Sequence, residues 1–395
     1  MNDAMNGQTD CLYSSDSLAL ESFKEWLLKK DAYYTAVTLK KCPDSCGYGL
    51  YAKRNLRENE ILVSIPHQLL ITAGSLAKIP AYREIFSRRS LRPFEALVVF
   101  FITELQKAED SSWAPYVKVL PRSFTTPAML DPDLQPSCLP VYEKDLLVAQ
   151  RKELNEMYNK IIETLLEALD YELFLWAWHI VNTRCIYVPT EPNPLFDNSD
   201  GDCLAVIPFV DMFNHSNDYQ GFCEWNKVLK RYVVTAIRPV KEDEQIFVCY
   251  GPHSNGRLWI EYGFTLPQNL CNMVPVDLDL FFVLAEESGI QVTEAHKQAV
   301  RNAGISCTLY ASDEVPSFGF KVAFKILRLG YEQLSKWSYF VYNNDDDDSD
   351  VDERLKVMIE NLHQHYVDKR DKTPEKYHWV WNNYISILEH YIENL

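Results

Sequence analysis

Several features that would assign a class of protein at once are missing from this chain of 395 residues. No apolar run approaches the length of a membrane-spanning helix, so no membrane partner is expected. Residues 1–16 contain neither a basic segment nor an apolar one, which argues against a signal peptide and favours the cytoplasm or the nucleus. With 39 Lys and Arg against 56 Asp and Glu, the net charge of -17 speaks against direct nucleic-acid binding and permits basic protein partners.

The cysteines are equally uninformative about disulfides or metals. None of the ten forms a CxxC pair, and Cys42 and Cys46 are followed by no second pair at zinc-finger spacing. Others, such as Cys185 and Cys249, lie inside apolar segments. We therefore expect reduced thiols, with neither a disulfide framework nor a metal site.

The order of helical and strand patterns predicts an α+β protein with two domains. Strands are expected at 61–65, 203–207, 222–225, 232–236 and 245–249, and helices beyond residue 274 at 294–302, 318–342, 352–367 and 374–394. The predicted organisation is a disordered tail at 1–16, a β-rich domain at 17–265 with a helical insertion at about 90–182, and a helical domain at 274–395. Within the last, the Asp-rich segment 343–353 is predicted to be a solvated loop.

Two apolar segments end in polar side chains. The run Phe209–Phe213 leads into Asn214, His215 and Ser216, and the predicted strand at 245–249 leads into Tyr250. Buried polar groups cost free energy unless each finds a partner. Such segment ends are therefore either satisfied structural corners or a binding site, and position alone leaves both open.

Five motifs occur in a fixed order along the chain. They are GYGLYA at 47–52, WAPYVKVLP at 113–121, WAWHIVNTR at 176–184, the Asn-His-Ser segment, and YGPHSNGRLWIEYGF at 250–264. In this order the motifs resemble SET-domain protein methyltransferases. The resemblance is to the group with a split SET domain and a helical C-terminal domain, typified by the Rubisco large-subunit methyltransferase.

This resemblance implies a fold and an activity. The fold would be a β-rich SET domain with pseudoknot-like threading of its C-terminal segment, a helical insertion, and an all-helical C-terminal domain that helps to bind the substrate. The activity would be that of a protein-lysine N-methyltransferase that uses S-adenosylmethionine and acts on histone or non-histone proteins.

The resemblance also assigns roles to residues at the polar segment ends. Tyr250 matches the catalytic tyrosine, whose hydroxyl orients the lysine amine, and it also lies beside the cofactor. Asn214 and His215 match the cofactor-binding pair, and Arg184 matches an arginine that binds the cofactor carboxylate. From proximity along the chain, we expect Asp211 to brace the Asn-His segment by hydrogen bonding.

Further matches lie outside these segments. Gly49 and Leu50 match a turn whose backbone binds the cofactor, and glycine there permits close approach of a ligand. Tyr262 and Phe264 match aromatic residues near the adenine. Ile186 lies in the lysine channel, where several relatives carry an aromatic residue, so the degree of methylation stays open.

Two other functions are compatible with parts of the sequence, and a third is disfavoured. One branch of the same group methylates histidine, so a protein-histidine N-methyltransferase is one alternative. A catalytically weak binding or scaffold protein that retains the fold is another. A dinucleotide-binding oxidoreductase is disfavoured, because GYGLYA lacks the third glycine of GxGxxG and no βαβ repeat surrounds it.

Overall fold

The computed structural model describes residues 6–42, 47–201, 203–343 and 348–395. The chain divides into two compact units, the first comprising Met1–Thr125 with Gln150–Gly251 and the second Thr126–Ala149 with Pro252–Leu395. The helices are α1 (Asn6–Lys29), α2 (Ala73–Leu76), α3 (Pro80–Phe86), α4 (Pro93–Lys107), α5 (Ala114–Val117), α6 (Pro127–Leu130), α7 (Val141–Leu165), α8 (Tyr171–Arg184), α9 (Asn255–Tyr262), α10 (Leu278–Glu287), α11 (Glu294–Ala303), α12 (Phe318–Leu327), α13 (Trp337–Asn343), α14 (Asp348–Arg370) and α15 (His378–Asn394). The strands are β1 (Val37–Lys41), β2 (Tyr48–Ala52), β3 (Ile61–Pro66), β4 (Cys185–Tyr187), β5 (Leu204–Val206), β6 (Asn214–His215), β7 (Gly221–Asn226), β8 (Arg231–Ala236), β9 (Gln245–Val248), β10 (Met273–Val276) and β11 (Cys307–Tyr310).

The first unit is built around one mixed sheet. Its strands lie in the order β1-β2-β9-β7-β8-β3, and the short strand β6 also pairs with β9. β2 is antiparallel to β9, whereas β6 and the first residue of β7 run parallel to it. Strand β9 therefore joins segments that are nearly two hundred residues apart in the chain.

Helices of the predicted insertion form the apolar core beside this sheet. In α4, every side chain from Ala96 to Ile102 is fully buried, because the helix is apolar around its whole circumference. It packs against α8, whose Phe174, Trp178 and Ile180 are also buried. In this way the core fixes the end of α8, where Arg184 lies.

The N-terminal helix is longer than the sequence pattern indicates. The apolar stripe predicts a start near Ser17, and Phe23 and Leu27 on that stripe are fully buried, but α1 begins at Asn6. Residues 1–5 of the predicted tail lie outside the described residues. The tail at 1–16 and the domain boundaries at 265 and 274 stay predictions.

In the second unit, helices surround a small apolar core. Ser254 caps α9 through a bond from the Arg257 N–H, and Gly263 ends it with a φ of 83°. Buried side chains of α10, α12, α14 and α15 pack together with those of β10 and β11. No helix in the described parts of the chain is long and apolar enough to cross a membrane.

Two details of the second unit differ from the sequence-based expectation. The region is helical as predicted, but it also contains the antiparallel pair β10–β11, which the sequence pattern did not indicate. The single helix predicted at 318–342 is wrong, because Gly330 adopts an extended conformation (φ −68°, ψ 154°) between α12 and a 3-10 turn. Part of the predicted acidic loop at 343–353 lies outside the described residues, and α14 begins within it at Asp348.

Candidate functional site

Strand β9 brings three of the sequence motifs together. In its antiparallel pairing with β2, Leu50 lies opposite Ile246, beside Gly49 of the glycine motif. In its parallel pairing with β6, Asn214 lies opposite Phe247 and His215 opposite Val248. Tyr250 follows two residues after β9 ends. The glycine motif, the Asn-His segment and the tyrosine are therefore neighbours.

Tyr250 is held against the Asn-His segment by three contacts. Its hydroxyl donates to the backbone carbonyl of Phe213 at 2.5 Å, and its backbone N–H donates to Nδ1 of His215 at 3.1 Å. The phenol ring also stacks on the His215 imidazole, with ring centroids 5.1 Å apart and an angle of 24°. The phenol oxygen is thus fixed at the backbone immediately before Asn214.

The surroundings of His215 do not suit a general base. The side chain is only 5% exposed, and burial lowers the pKa of the imidazole. Nδ1 accepts the Tyr250 N–H at 3.1 Å and lies 3.4 Å from the Val248 carbonyl, so this nitrogen faces backbone groups at the end of β9. His215 therefore acts as a rigid support for the Tyr250 ring and backbone.

The Asn214 side chain belongs to a compact polar network. Its Nδ2 donates to Gln245 Oε1 at 2.7 Å and to the Tyr48 carbonyl at 3.2 Å, and it lies 3.4 Å from Cys42 Sγ. An amide NH₂ has two hydrogens, so these acceptors satisfy it. Because all these bonds use Nδ2, the side-chain oxygen Oδ1 is the atom that remains to receive a donor from a ligand.

Gly49 lies directly against this network. A Cβ at this position would overlap Oε1 of Gln245 and would lie 3.0 Å from both Asn214 Nδ2 and Cys42 Sγ. A side chain at position 49 would therefore displace the ends of these three side chains. Leu50 beside it is fully buried and pairs with Leu39 of β1 and Ile246 of β9.

Arg184 at the end of α8 forms a buried ion pair with Asp211. Its Nη1 donates to Asp211 Oδ2 at 2.8 Å and to the Asp211 carbonyl at 3.0 Å, while Tyr116 donates its hydroxyl to the same Oδ2 at 2.7 Å. Burial raises the pKa of the Asp211 carboxyl, and the Arg184 guanidinium and the Tyr116 hydroxyl oppose that rise. The expectation that Asp211 braces the Asn-His segment is wrong, because its carboxylate instead orients Arg184.

One edge of the Arg184 guanidinium is left open. Its described bonds all use Nη1, including a contact to Met212 Sδ at 3.6 Å, and its buried Nε has no hydrogen-bond partner among the described residues. A buried donor without a partner is costly in a native protein. The Nε–Nη2 edge is the edge that binds a carboxylate in a paired fashion.

Arg184 lines a cavity of about 260 Å³ in the first unit. The lining residues are Ala19, Lys41, Gly47, Tyr48, Lys118, Val119, Leu120, Pro121, Arg122, Arg184 and Met212. Four of these side chains are cationic, although the whole chain carries a net charge of -17. Such local charge favours an occupant with an anionic group.

The other predicted site residues lie in separate surroundings. Ile186 is half-buried in β4, two residues after Arg184, and pairs with Ala205 of β5. Tyr262 and Phe264 belong to the second unit, where their rings lie 6.2 Å apart across Gly263. Their predicted place near the adenine stays a prediction.

Sequence reasoning missed three residues of the networks around Asn214 and Arg184. Tyr116 lies within the WAPYVKVLP motif, where its buried hydroxyl had no assigned partner. Gln245 is a polar residue at the start of an otherwise apolar strand, and this contrast is a usable signal. Cys42 offers no signal in sequence, because only the fold brings its thiol to Asn214.

Comparisons with known proteins agree with these motifs. The family model described as "SET domain" matches residues 47–251, half of the chain. The chain is 26% identical over 334 residues to SET domain-containing protein 4 of Artemia parthenogenetica, with 83% of each chain covered. It is 25% identical over 366 residues to the ribosomal lysine N-methyltransferase set11 of Schizosaccharomyces pombe, with 88% of each covered. It is 30% identical over 270 residues to the actin-histidine N-methyltransferase of Xenopus tropicalis, covering 64% of this chain and 44% of that protein.

A solved structure shares the fold. The crystal structure of the SET domain of LSMT bound to lysine and AdoHcy matches with a TM-score of 0.61 and 16% identity, covering 96% of this chain and 89% of that one. The motif order, the sheet around β9 and the family model lead to one conclusion: the chain belongs to the SET-domain family.

Proposed function

We propose that this protein transfers a methyl group from S-adenosylmethionine to a lysine of another protein. The observation that carries the proposal is the convergence around β9, where the Tyr250 hydroxyl is bonded to the residue before Asn214. Asn214 and Arg184 each keep a hydrogen-bonding atom available for a ligand. The family and its methyltransferase relatives support the same reading.

The residues at this site fit the chemistry of S-adenosylmethionine. Its amino-acid end has a carboxylate, which suits the open guanidinium edge of Arg184, and an ammonium group, which suits the acceptor Oδ1 of Asn214. Gly49 and Leu50 of β2 would contact the cofactor through their backbone, as the family resemblance implies. The Tyr250 hydroxyl and the Phe213 carbonyl place oxygen atoms here. Oxygen dipoles stabilise a positively charged sulfonium, whereas cationic side chains would repel it.

The proposed mechanism depends on alignment rather than on acid–base catalysis. When bound, the cofactor would supply an electrophilic methyl carbon to a neutral amine, with its own thioether sulfur as the leaving group. Tyr250, held by Phe213 and His215, would orient the amine nitrogen and keep the path narrow. His215 would support Tyr250 and has no acid–base role in this scheme. Ile186 would line the amine channel beside Arg184.

The second unit is the proposed binding region for the substrate protein. The helical domain at 274–395 would help to bind the substrate protein, and the net charge of -17 suits basic protein segments, among which histone tails are one class. Tyr262 and Phe264 would contact the adenine. The cytoplasm and the nucleus are both consistent with such substrates.

Two substitutions separate the proposed roles. Tyr250→Phe should lower kcat by about 10²-fold and leave cofactor affinity near the wild-type value, because the hydroxyl acts on the reacting groups. Asn214→Ala should instead raise the Kd for S-adenosylhomocysteine in calorimetry. Tyr33→Phe, which changes a half-exposed tyrosine elsewhere in the same unit, is the matched control. Full activity in the Tyr250→Phe variant would refute the catalytic role.

Histidine methylation is the second candidate function. The 30% identity to an actin-histidine N-methyltransferase favours it, whereas the ribosomal lysine N-methyltransferase matches a larger share of the chain. Incubation with labelled cofactor and fractionated extract, followed by mass spectrometry of the modified peptide, separates the two. If the label lies on a histidine and persists after Lys→Arg substitution in the target peptide, histidine replaces lysine as the acceptor.

A further inference from the structure

The side chain of Gln245 lies between the Asn214 amide and strand β2. Its Oε1 accepts from Asn214 Nδ2 at 2.7 Å, and its Nε2 donates to the Tyr51 hydroxyl at 3.2 Å. Cys42 Sγ completes the cluster, 3.7 Å from Gln245 Oε1 and 3.8 Å from the Tyr51 hydroxyl. Both ends of the Gln245 amide are therefore engaged, and the donor end is anchored outside the candidate site.

This arrangement sets the polarity of the Asn214 amide. Without an acceptor at Gln245, an asparagine amide can rotate by half a turn and exchange its oxygen and nitrogen at almost no steric cost. With Gln245 Oε1 and the Tyr48 carbonyl both on one side, the NH₂ group is drawn to that side. The oxygen then faces away from the cluster, as an acceptor for a ligand donor.

We propose that Gln245 is a positioning residue that holds the Asn214 amide with its oxygen presented to the cofactor. This inference rests on the proposed function, because it concerns the affinity of the same site for S-adenosylmethionine and its product. Gln245 touches no reacting atom in this account. It acts only through Asn214, and Tyr51 in turn orients Gln245.

The space around Gln245 favours a role in positioning Asn214 over a role that only supports the sheet. A Cβ at Gly49 would overlap the Gln245 amide oxygen, so a side chain there would displace the glutamine amide. A smaller residue at position 245 would satisfy the sheet, since the strand pairing of β9 uses backbone atoms. The absence of a side chain at Gly49 thus leaves space for the Gln245 amide.

A matched control lies immediately before the neighbouring strand β7. Gln220 also uses its side chain to support β9, because its Oε1 accepts the Phe247 N–H at 3.0 Å, but no described bond joins it to Asn214. A purely structural glutamine should therefore behave like Gln220. Gln245 should differ from it in ligand affinity.

The test is calorimetric titration of the full chain with S-adenosylhomocysteine, with melting curves for each variant. Gln245→Leu should raise Kd by about five- to tenfold, the value of one lost hydrogen bond. Gln245→Glu keeps an acceptor for Asn214 Nδ2, so it should restore Kd to within about threefold of wild type. Tyr51→Phe is a milder perturbation in the same direction, and Gln220→Leu should lower the melting temperature without changing Kd.

A double variant tests whether Gln245 acts through Asn214. In an Asn214→Ala background, Gln245→Leu should have no further effect on Kd, because the group through which it acts is gone. An unchanged Kd in Gln245→Leu, or an equal loss in Gln220→Leu, would overturn the positioning role. If Gln245→Leu does not fold, normal affinity in Tyr51→Phe together with loss of affinity in Gln245→Glu overturns it as well. A wild-type protein that does not bind the ligand overturns the proposed function instead.

Discussion

Replacing Asp211 by asparagine would leave Arg184 as a buried cation without its counter-charge. The carboxylate is fully buried, and Arg184 has 16% of its side chain exposed. Asparagine keeps the volume of the side chain, and its amide oxygen can still accept from Arg184 Nη1 and the Tyr116 hydroxyl, because both bond the same Oδ2, but it carries no charge. Burial raises the pKa of Tyr116 well above its ordinary value, so that hydroxyl stays neutral and supplies no replacement charge.

The size of the effect follows from these contacts. Removing one partner of a buried ion pair costs about 3–5 kcal/mol. Arg184 keeps its bond to the Asp211 carbonyl and borders a cavity, so we expect the lower end, about 3 kcal/mol. For proteins of about 150–250 residues, each kcal/mol shifts the melting temperature by about 2–4 °C, which gives a fall of about 6–12 °C.

Thermal unfolding followed by circular dichroism measures this fall. The control is Asp218→Asn, since Asp218 is 82% exposed and its pair with Arg238, at 2.6 Å, lies in water. Exposed pairs contribute less than about 1 kcal/mol, so the control should melt close to wild type. Removing Arg184 as well, in Asp211→Asn with Arg184→Met, should recover part of the loss.

The result that would refute this reasoning is specific. If Asp211→Asn and Asp218→Asn melted within about 2 °C of each other, the buried pair would not carry the stability assigned to it. If the double variant melted lower than Asp211→Asn alone, the loss would come from packing rather than from an unpaired charge.

Three further predictions follow from the described contacts. Burial raises the pKa of Glu143 to about 7, so the folded protein binds a proton more tightly than the unfolded chain, and stability should fall as the pH rises from about 4.5 to about 7, by up to about 3 kcal/mol. Glu143→Gln should remove this fall and melt higher than wild type at pH 8. Gly256→Ala should cost about 1–3 kcal/mol, because its Cβ would overlap the Glu143 carboxylate. Arg184→Lys should raise the Kd for S-adenosylhomocysteine by about tenfold or more, since an ammonium cannot form the paired bonds of a guanidinium.

Each of these three has its own check. Melting curves of wild type and Glu143→Gln across pH 5 to 8 should diverge as the pH rises, and parallel curves would contradict the raised pKa. Gly74→Ala is the control for Gly256, because the nearest atom to its added Cβ is 3.9 Å away. Equal melting temperatures for Gly256→Ala and Gly74→Ala would show that the Glu143 carboxylate does not obstruct a Cβ at position 256. For Arg184→Lys, calorimetry with unchanged affinity would exclude a carboxylate contact.

Local patterns predicted much of the secondary structure. Local signals bound the helix at 255–262, because Ser254 is its N-cap and Gly263 its C-cap. Strands β7, β8 and β9 followed from short apolar runs bounded by turn residues. The break at Gly330 was missed, because a single glycine inside a helical pattern is often tolerated.

Local patterns could not predict the partners of polar side chains. Asp211 is three residues from Asn214 in sequence, yet its carboxylate binds Arg184 and Tyr116. Gln245 and Cys42 meet Asn214 only because β9 lies between β2 and β6. These contacts depend on strand order, which short sequence windows do not contain.

The order of motifs in the sequence by itself determined the family, because several short polar and glycine-containing segments in one fixed order are highly specific. It also placed Tyr250, Asn214 and Arg184 at the ends of apolar segments, where a partner or a ligand is required. Only the tertiary structure decided which partner each of them has. Hydrogen bonds act over about 3 Å, and that proximity arises from the pairing of distant strands rather than from spacing along the chain.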